Sequence, residues 1–266
     1  MPDIDIAREE LFHDAWAESI DIDAINVCGF DSICTLPETA IIAGELGDLT
    51  GKRVLELGAG AGEASVYFAM RGAHVVATDL SGGMLRVAQR LAEKHGVQIE
   101  TVKTRSDHLV FADESFDVVY AANLLHHVDI DPTLQEVRRV LKNGGVFASW
   151  DPLAHNPAIN IYRRIATEVR TEDEHPLTMR DLERFRGQFR SVTWHGTWLF
   201  TLLIFVKFYF LDRIDPNKTR YWKLIVDEQE HLAPLYKPLK RLDDFVLRVF
   251  PFMKRYCWNA VVIAQK

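Results

Sequence analysis

Residues 54–62 read Val-Leu-Glu-Leu-Gly-Ala-Gly-Ala-Gly, "VLELGAGAG". Val54, Leu55 and Leu57 form a short apolar run of the kind that makes a buried strand. Gly58, Gly60 and Gly62 come next, at alternate places. Glycines directly after a strand mark a tight turn in which backbone approaches something closely. Glu56 sits inside the apolar run, where an unpaired carboxylate is costly. A bound cofactor is the first occupant to consider for such a turn, and its identity depends on the glycine spacing and on the residues after Gly62.

Outward from this turn the chain alternates. "KRVLELG" reads as a strand and "EASVYFAMRG" as a helix ended by Gly72. "AHVVATD" is a strand, and "SGGMLRVAQRLAEKHG" a helix ended by Gly96. "QIETVKT" and "FDVVYAAN" are strands, "DPTLQEVRRVLKNGG" a helix and "VFASWD" a strand. With "RSVTWHGTWLF" and the final "CWNAVVIAQK", seven strands are expected. β-α-β-α alternation specifies an α/β fold: a doubly wound, mostly parallel sheet with helices on both faces. After Asp151 the pattern turns irregular, with helices expected at 157–169 and 179–188 and a helix-rich insertion over 200–255. Residues 1–49 therefore read as an N-terminal helical lid and 50–151 as the core. Residues 152–255 read as a cap interrupted by a core strand near 190–200, and 256–266 as the closing strand.

Composition narrows the partners. The 266 residues carry a net charge of −7, with 12 Lys+Arg against 24 Asp+Glu in residues 1–150 and 19 against 14 in the remainder. The basic C-terminal half faces either solvent or an anionic substrate or membrane surface. No basic run with interleaved aromatics suggests nucleic acid. Cys28, Cys34 and Cys257 form no CxxC pair, which points to a reducing, cytoplasmic setting and to no metal site. The acidic start "MPDIDIAREE" lacks the apolar core of a secretion leader.

A dinucleotide-binding turn uses GxGxxG. Here the glycines run Gly58-Ala59-Gly60-Ala61-Gly62, and Glu63 stands where the third glycine would be. In this spacing, and in "VVATDLSGGML", "FADESFDVVYAANLLHHV" and "EVRRVLKNGGVF", the sequence resembles the class I S-adenosylmethionine-dependent methyltransferases, and within them the ubiquinone/menaquinone-biosynthesis subgroup. The resemblance covers roughly residues 50–150 and implies a Rossmann-like methyltransferase fold with S-adenosylmethionine as cofactor and no metal. It implies that Glu56 anchors the amino-acid end, that Gly58, Ala59, Gly60 and Gly62 pass beside the methionine and ribose, and that Asp79 accepts the ribose hydroxyls. Leu80 and Met84 stand either against the purine or in the core. The acid usual near the adenine is absent from Thr104-Arg105-Ser106, so Asp107, with the Ser106 backbone, is its candidate replacement. Asn123, at the end of the fourth strand, is placed beside the methionine.

The acceptor is less legible. His126 and His127 either cap the next helix or touch substrate. Asp151 and His155 are candidate acceptor-orienting groups if both face the same mouth. The stretch "WLFTLLIFVKFYFL", 198–211, is too short to span a bilayer. It is open to three readings: burial in the cap or a homodimer interface, the wall of a tunnel for a lipophilic acceptor, or peripheral contact with a membrane. The expected function is methyl transfer to a small, rather apolar acceptor, oxygen first. The alternatives are a membrane-associated enzyme for an isoprenoid or lipid, at carbon, and a non-catalytic cofactor-binding partner protein.

Overall fold

The computed structural model describes residues 6–166 and 175–266. Seven strands form one sheet: β1 (Arg53–Leu57), β2 (His74–Asp79), β3 (Glu100–Lys103), β4 (Phe116–Ala122), β5 (Leu141–Pro152), β6 (Ser191–Thr197) and β7 (Asn259–Gln265). Their order is β3-β2-β1-β4-β5-β7-β6. β7 runs antiparallel to both neighbours, and the pairings of β1 to β5 are parallel. The expected doubly wound, mostly parallel sheet is thus observed. Its central strands are buried on both faces, as parallel sheets require.

The core helices are α3 (Glu63–Met70), α4 (Gly82–Lys94) and α5 (Ile130–Val140). Before them lie α1 (Ile6–Ala17) and α2 (Pro37–Leu46). The cap supplies α6 (Pro157–Ile165), α7 (Met179–Gln188), α8 (Leu203–Phe210), α9 (Tyr221–Asp227) and α10 (Gln229–Val249). Residues 167–169, expected to continue α6, lie outside the described residues.

Two boundaries differ from expectation. The helix expected to reach Gly145 stops at Val140, because Leu141 is already extended and pairs with Phe116 across an irregular register. Both residues are fully buried, so this cross-strand contact outweighs one more helical turn. At the other end of the sheet, β6 stops at Thr197 rather than Phe200. Trp198 turns the chain with a φ of +63° and carries its ring into the cap core. That core joins Trp198, Phe205, Phe208, Tyr221 and Tyr236. The stretch 198–211 is therefore split: Leu202, Ile204, Phe205 and Phe208 are buried, while Leu203, Val206, Phe210 and Leu211 are exposed.

Gly62 serves this packing. It caps α3 with a φ of +83°, and a Cβ there would lie 2.5 Å from Ala88 Cβ on α4. Gly62→Ala is expected to cost about 2–4 kcal/mol, from overpacking plus a left-handed alanine. Chemical denaturation measures it. A loss below about 1 kcal/mol, the scale of an ordinary substitution, would mean that the two helices part easily.

Candidate functional site

The order of the sheet reverses between β1 and β4, and in such sheets ligands bind outside the carboxyl ends of the strands at that reversal. The glycine turn leaves β1 there. Ala59 N–H donates to Thr78 O at 2.8 Å, which fastens the turn to β2. Gly60 N–H donates to Asp79 Oδ2 at 2.9 Å, and Ser81 N–H donates to Asp79 Oδ1 at 2.8 Å. A carboxylate offers about four lone-pair positions, so Asp79 is held in place with acceptor capacity left. The N-cap of α4 is Ser81, whose Oγ accepts from Met84 N–H. Gly60 has a φ of +52°, and a Cβ built on it meets nothing within 4 Å. Of the three glycines, this one faces open space. The other two are pressed against protein: Gly58 against Leu124, Gly62 against Ala88.

Glu56 is 4% exposed and accepts a hydrogen bond from Ser65 Oγ. Burial pushes its carboxyl up to about 8. Folding therefore favours the protonated acid, and this contribution to stability falls as pH rises from the ordinary carboxyl value towards 8. An ammonium placed beside Glu56 reverses the preference and expels the proton. Binding of S-adenosylhomocysteine at pH 7 is thus expected to release up to about one proton. Calorimetry in buffers of different ionisation enthalpy reads this, and Glu56→Gln removes the buffer dependence. Buffer-independent heats for the unaltered protein would contradict the role of Glu56.

Around the residues expected near the adenine the geometry is less simple. Leu80 is half-buried, and Met84, 1% exposed, packs with Ala17 and Val87 beside Ala61 of the turn. Asp107 is gripped by the fork of its neighbour: Arg105 Nε donates to Oδ1 at 2.8 Å and Nη2 to Oδ2 at 2.5 Å. That fork holds the Asp107 carboxyl below its ordinary range. An adenine contact from Asp107 has to share these oxygens. Ser106 Oγ lies 3.4 Å from Thr133 Oγ1. Asn123 is exposed in a left-handed conformation, φ +50°, directly after β4, and its N–H donates to Trp150 O at 2.9 Å.

Beyond the turn lies a second cluster. His126 stands on the 3-10 turn Leu125–His127, and its Nδ1 is 2.8 Å from Asp151 Oδ1 near the end of β5. The same oxygen accepts from His126 N–H at 3.3 Å. Asp151 is fully buried, and Oδ2 has no hydrogen-bond partner among the described residues. Burial pushes this carboxyl up, against the opposing pull of His126. The pair holds the imidazole through Nδ1 and leaves Nε2 as its second proton site. The His127 ring packs on that of His126, centroids 4.1 Å apart. His127 Nδ1 lies 3.9 Å from Glu9 Oε1, and His13 Nε2 lies 3.4 Å from Glu9 Oε2.

His155, expected to face the same mouth as Asp151, has a hydrogen bond of its own. Its Nε2 accepts from Met179 N–H at 3.3 Å, which commits it to the first turn of α7. The reason is the bridge Leu153–Leu177, which draws the chain after β5 towards α7.

Two residues that sequence reading missed come from α1. Glu9 is 7% exposed between the histidines. Asp14 Oδ1 accepts from Ser81 Oγ at 2.5 Å and Gly83 N–H at 2.8 Å, holding α1 on the first turn of α4. Gly83 leaves room for it, since a Cβ there would lie 2.9 Å from Asp14 Oδ1. The only sequence signal was an acid-rich helix, which does not separate surface acids from inward ones. Trp16 completes the cover, lying against the Met84 cluster with the Arg220 guanidinium 4.8 Å from its ring.

The residues fit S-adenosylmethionine: an open cradle at Gly60, a carboxylate fixed beside it and a buried acid at the end of β1. Among the described residues no group of three or more His, Cys, Asp or Glu is arranged to hold a metal ion.

Residues 55–149 match a family model described as "Methyltransferase domain". A demethylmenaquinone methyltransferase of Thermobifida fusca is 44% identical over 98 residues, 36% of this chain and 42% of that protein. A ubiquinone biosynthesis O-methyltransferase of Ruegeria is 35% identical over 131 residues, 46% of this chain and 51% of its own length. The matches thus span about half, or less, of these curated relatives. The solved YcgJ protein of Bacillus subtilis shares the fold at 19% identity, with a TM-score of 0.57 over 86% of this chain and 97% of that one. Glycine turn, sheet order and sequence match agree: the core of this chain is a methyltransferase domain of the class I S-adenosylmethionine-dependent type.

Proposed function

We propose that this chain transfers a methyl group from S-adenosylmethionine to a hydroxyl of a small, rather apolar acceptor, with His126 receiving the proton. The observation that carries this reading is the His126–Asp151 pair at 2.8 Å, buried beside the carboxyl ends of β4 and β5. The cofactor, when bound, supplies an already activated methyl group. What remains for the protein is to align the acceptor, exclude water and take up a proton, and proximity and general-base catalysis reward the first and last of these heavily. Gly60, Asp79 and Glu56 are the groups assigned to hold the cofactor. Asp107, Ser106, Asn123, Leu80 and Met84 are assigned to its adenine and methionine flanks. Asp151 orients the His126 ring through Nδ1, as a buried carboxylate does in hydrolase triads, so that Nε2 is the proton acceptor. His127 and Glu9 border the same space. Residues of the cap, beginning with α6, are assigned most of the acceptor wall, because the core motifs are taken up by the cofactor.

The relatives' names, which refer to menaquinone and ubiquinone biosynthesis, favour a phenolic ring compound as acceptor. The test is transfer of labelled methyl from S-adenosylmethionine to a panel of phenols, amines and thiols of graded hydrophobicity. Label in phenols, rising with hydrophobicity, supports the proposal. Label confined to amines or thiols, or no label in any acceptor despite cofactor binding, contradicts it.

A further inference from the structure

α10 has two apolar faces, and the fold uses one. Leu232, Tyr236 and Leu247 are buried against the cap and the sheet. At 3.6 residues per turn, Leu235, Leu242, Phe245 and Val249 fall on a second stripe, away from the first. All four are exposed, Phe245 by 62%, and Phe252 in the next turn by 65%. Scattered exposed leucines need no explanation, whereas a continuous stripe with aromatic residues marks an interaction surface. Lys237, Arg241 and Arg248, all exposed, line one border of this stripe.

Charge selects the occupant. The chain carries −7 overall, yet residues 229–256 hold six Lys and Arg against three acids. One of those acids, Asp243, is buried and accepts from Leu199 and Phe200 N–H. Another, Asp244, is paired with Lys240. The face is a basic island on an acidic protein. A second copy related by a two-fold axis would set this island against its own like charge. A layer of anionic headgroups over hydrocarbon satisfies both the basic border and the apolar stripe. No described helix is long and apolar enough to cross a membrane.

We propose that the Leu235–Phe252 face of α10 docks on the surface of an anionic membrane. The test is co-sedimentation of the full chain with vesicles of phosphatidylcholine alone and of phosphatidylcholine mixed with phosphatidylglycerol. The mixed vesicles should pellet the protein at about 0.1 M salt and release most of it at about 1 M, where the screening length falls from about 10 to about 3 Å. Arg241→Gln with Arg248→Gln should weaken binding about thirty-fold. Phe245→Asp should remove it with unchanged thermal unfolding. No pelleting with mixed vesicles, equal pelleting with neutral ones, or full binding by either variant overturns the proposal. A concentration-dependent dimer that Phe245→Asp dissociates, without lipid binding, assigns the face to a second copy and overturns it as well.

Discussion

Replacing His126 with alanine is expected to lower kcat by about 10²–10⁴-fold, the usual contribution of a general base, with little change in affinity for S-adenosylhomocysteine. The separation comes from position. His126 bonds to Asp151 and packs on His127, while the residues assigned to the cofactor are anchored on β1 and β2. Alanine also removes the side-chain partner of buried Asp151, leaving Oδ1 only the backbone N–H of residue 126 at 3.3 Å. Loss of a hydrogen-bond partner from a buried polar group costs about 1–3 kcal/mol, so a smaller folded fraction adds to the loss of activity. His126→Gln separates the two effects, because its amide can donate to Asp151 but cannot take up a proton. Glutamine should recover stability and not rate. A glutamine enzyme with unaltered kcat would reduce the pair to a structural contact.

Gly60→Val is expected to weaken cofactor binding by at least about a hundredfold, since a valine side chain of that size cannot share the cradle. Its own cost to folding, a β-branched residue held at a φ of +52°, is about 1–2 kcal/mol. Gly62→Ala should do the reverse, losing stability while a folded fraction still binds. The two glycines stand two residues apart and look alike in the sequence. One has open space before it and the other has Ala88. Calorimetry and denaturation on both variants give opposite patterns if the turn divides its labour in this way, and parallel losses if it does not.

The core was legible because its signals are local. An apolar run, then glycines, then a helix fix β1, the turn and α3 within twenty residues. Repetition of that alternation fixes the parallel sheet. The boundaries that moved, at Val140 and Thr197, moved because a partner distant in sequence decided them: Phe116 for Leu141, the aromatic cap core for Trp198. The site behaved likewise. Asp79 lies where the strand–turn–helix pattern put it, on the turn through Gly60. The His126–Asp151 contact could not be read, because the two residues lie 25 apart in the chain and meet only through the packing of β4 against β5. Glu9 and Asp14 were invisible for a related reason. Nothing in an acidic helix states which acids turn inward until its docking against α4 is known.

The most direct measurement is a crystal structure of the full chain with S-adenosylhomocysteine. The ribose hydroxyls should lie on Asp79, the backbone of Gly60 should pass the ligand without a side chain between, and the sulfur should face the space bordered by His126, with the cap forming the far wall. Ligand density away from the Gly58–Gly62 turn would contradict the cofactor assignment. A sulfur facing a cavity walled only by residues 1–150, or turned away from His126, would contradict the assignment of the methyl acceptor site.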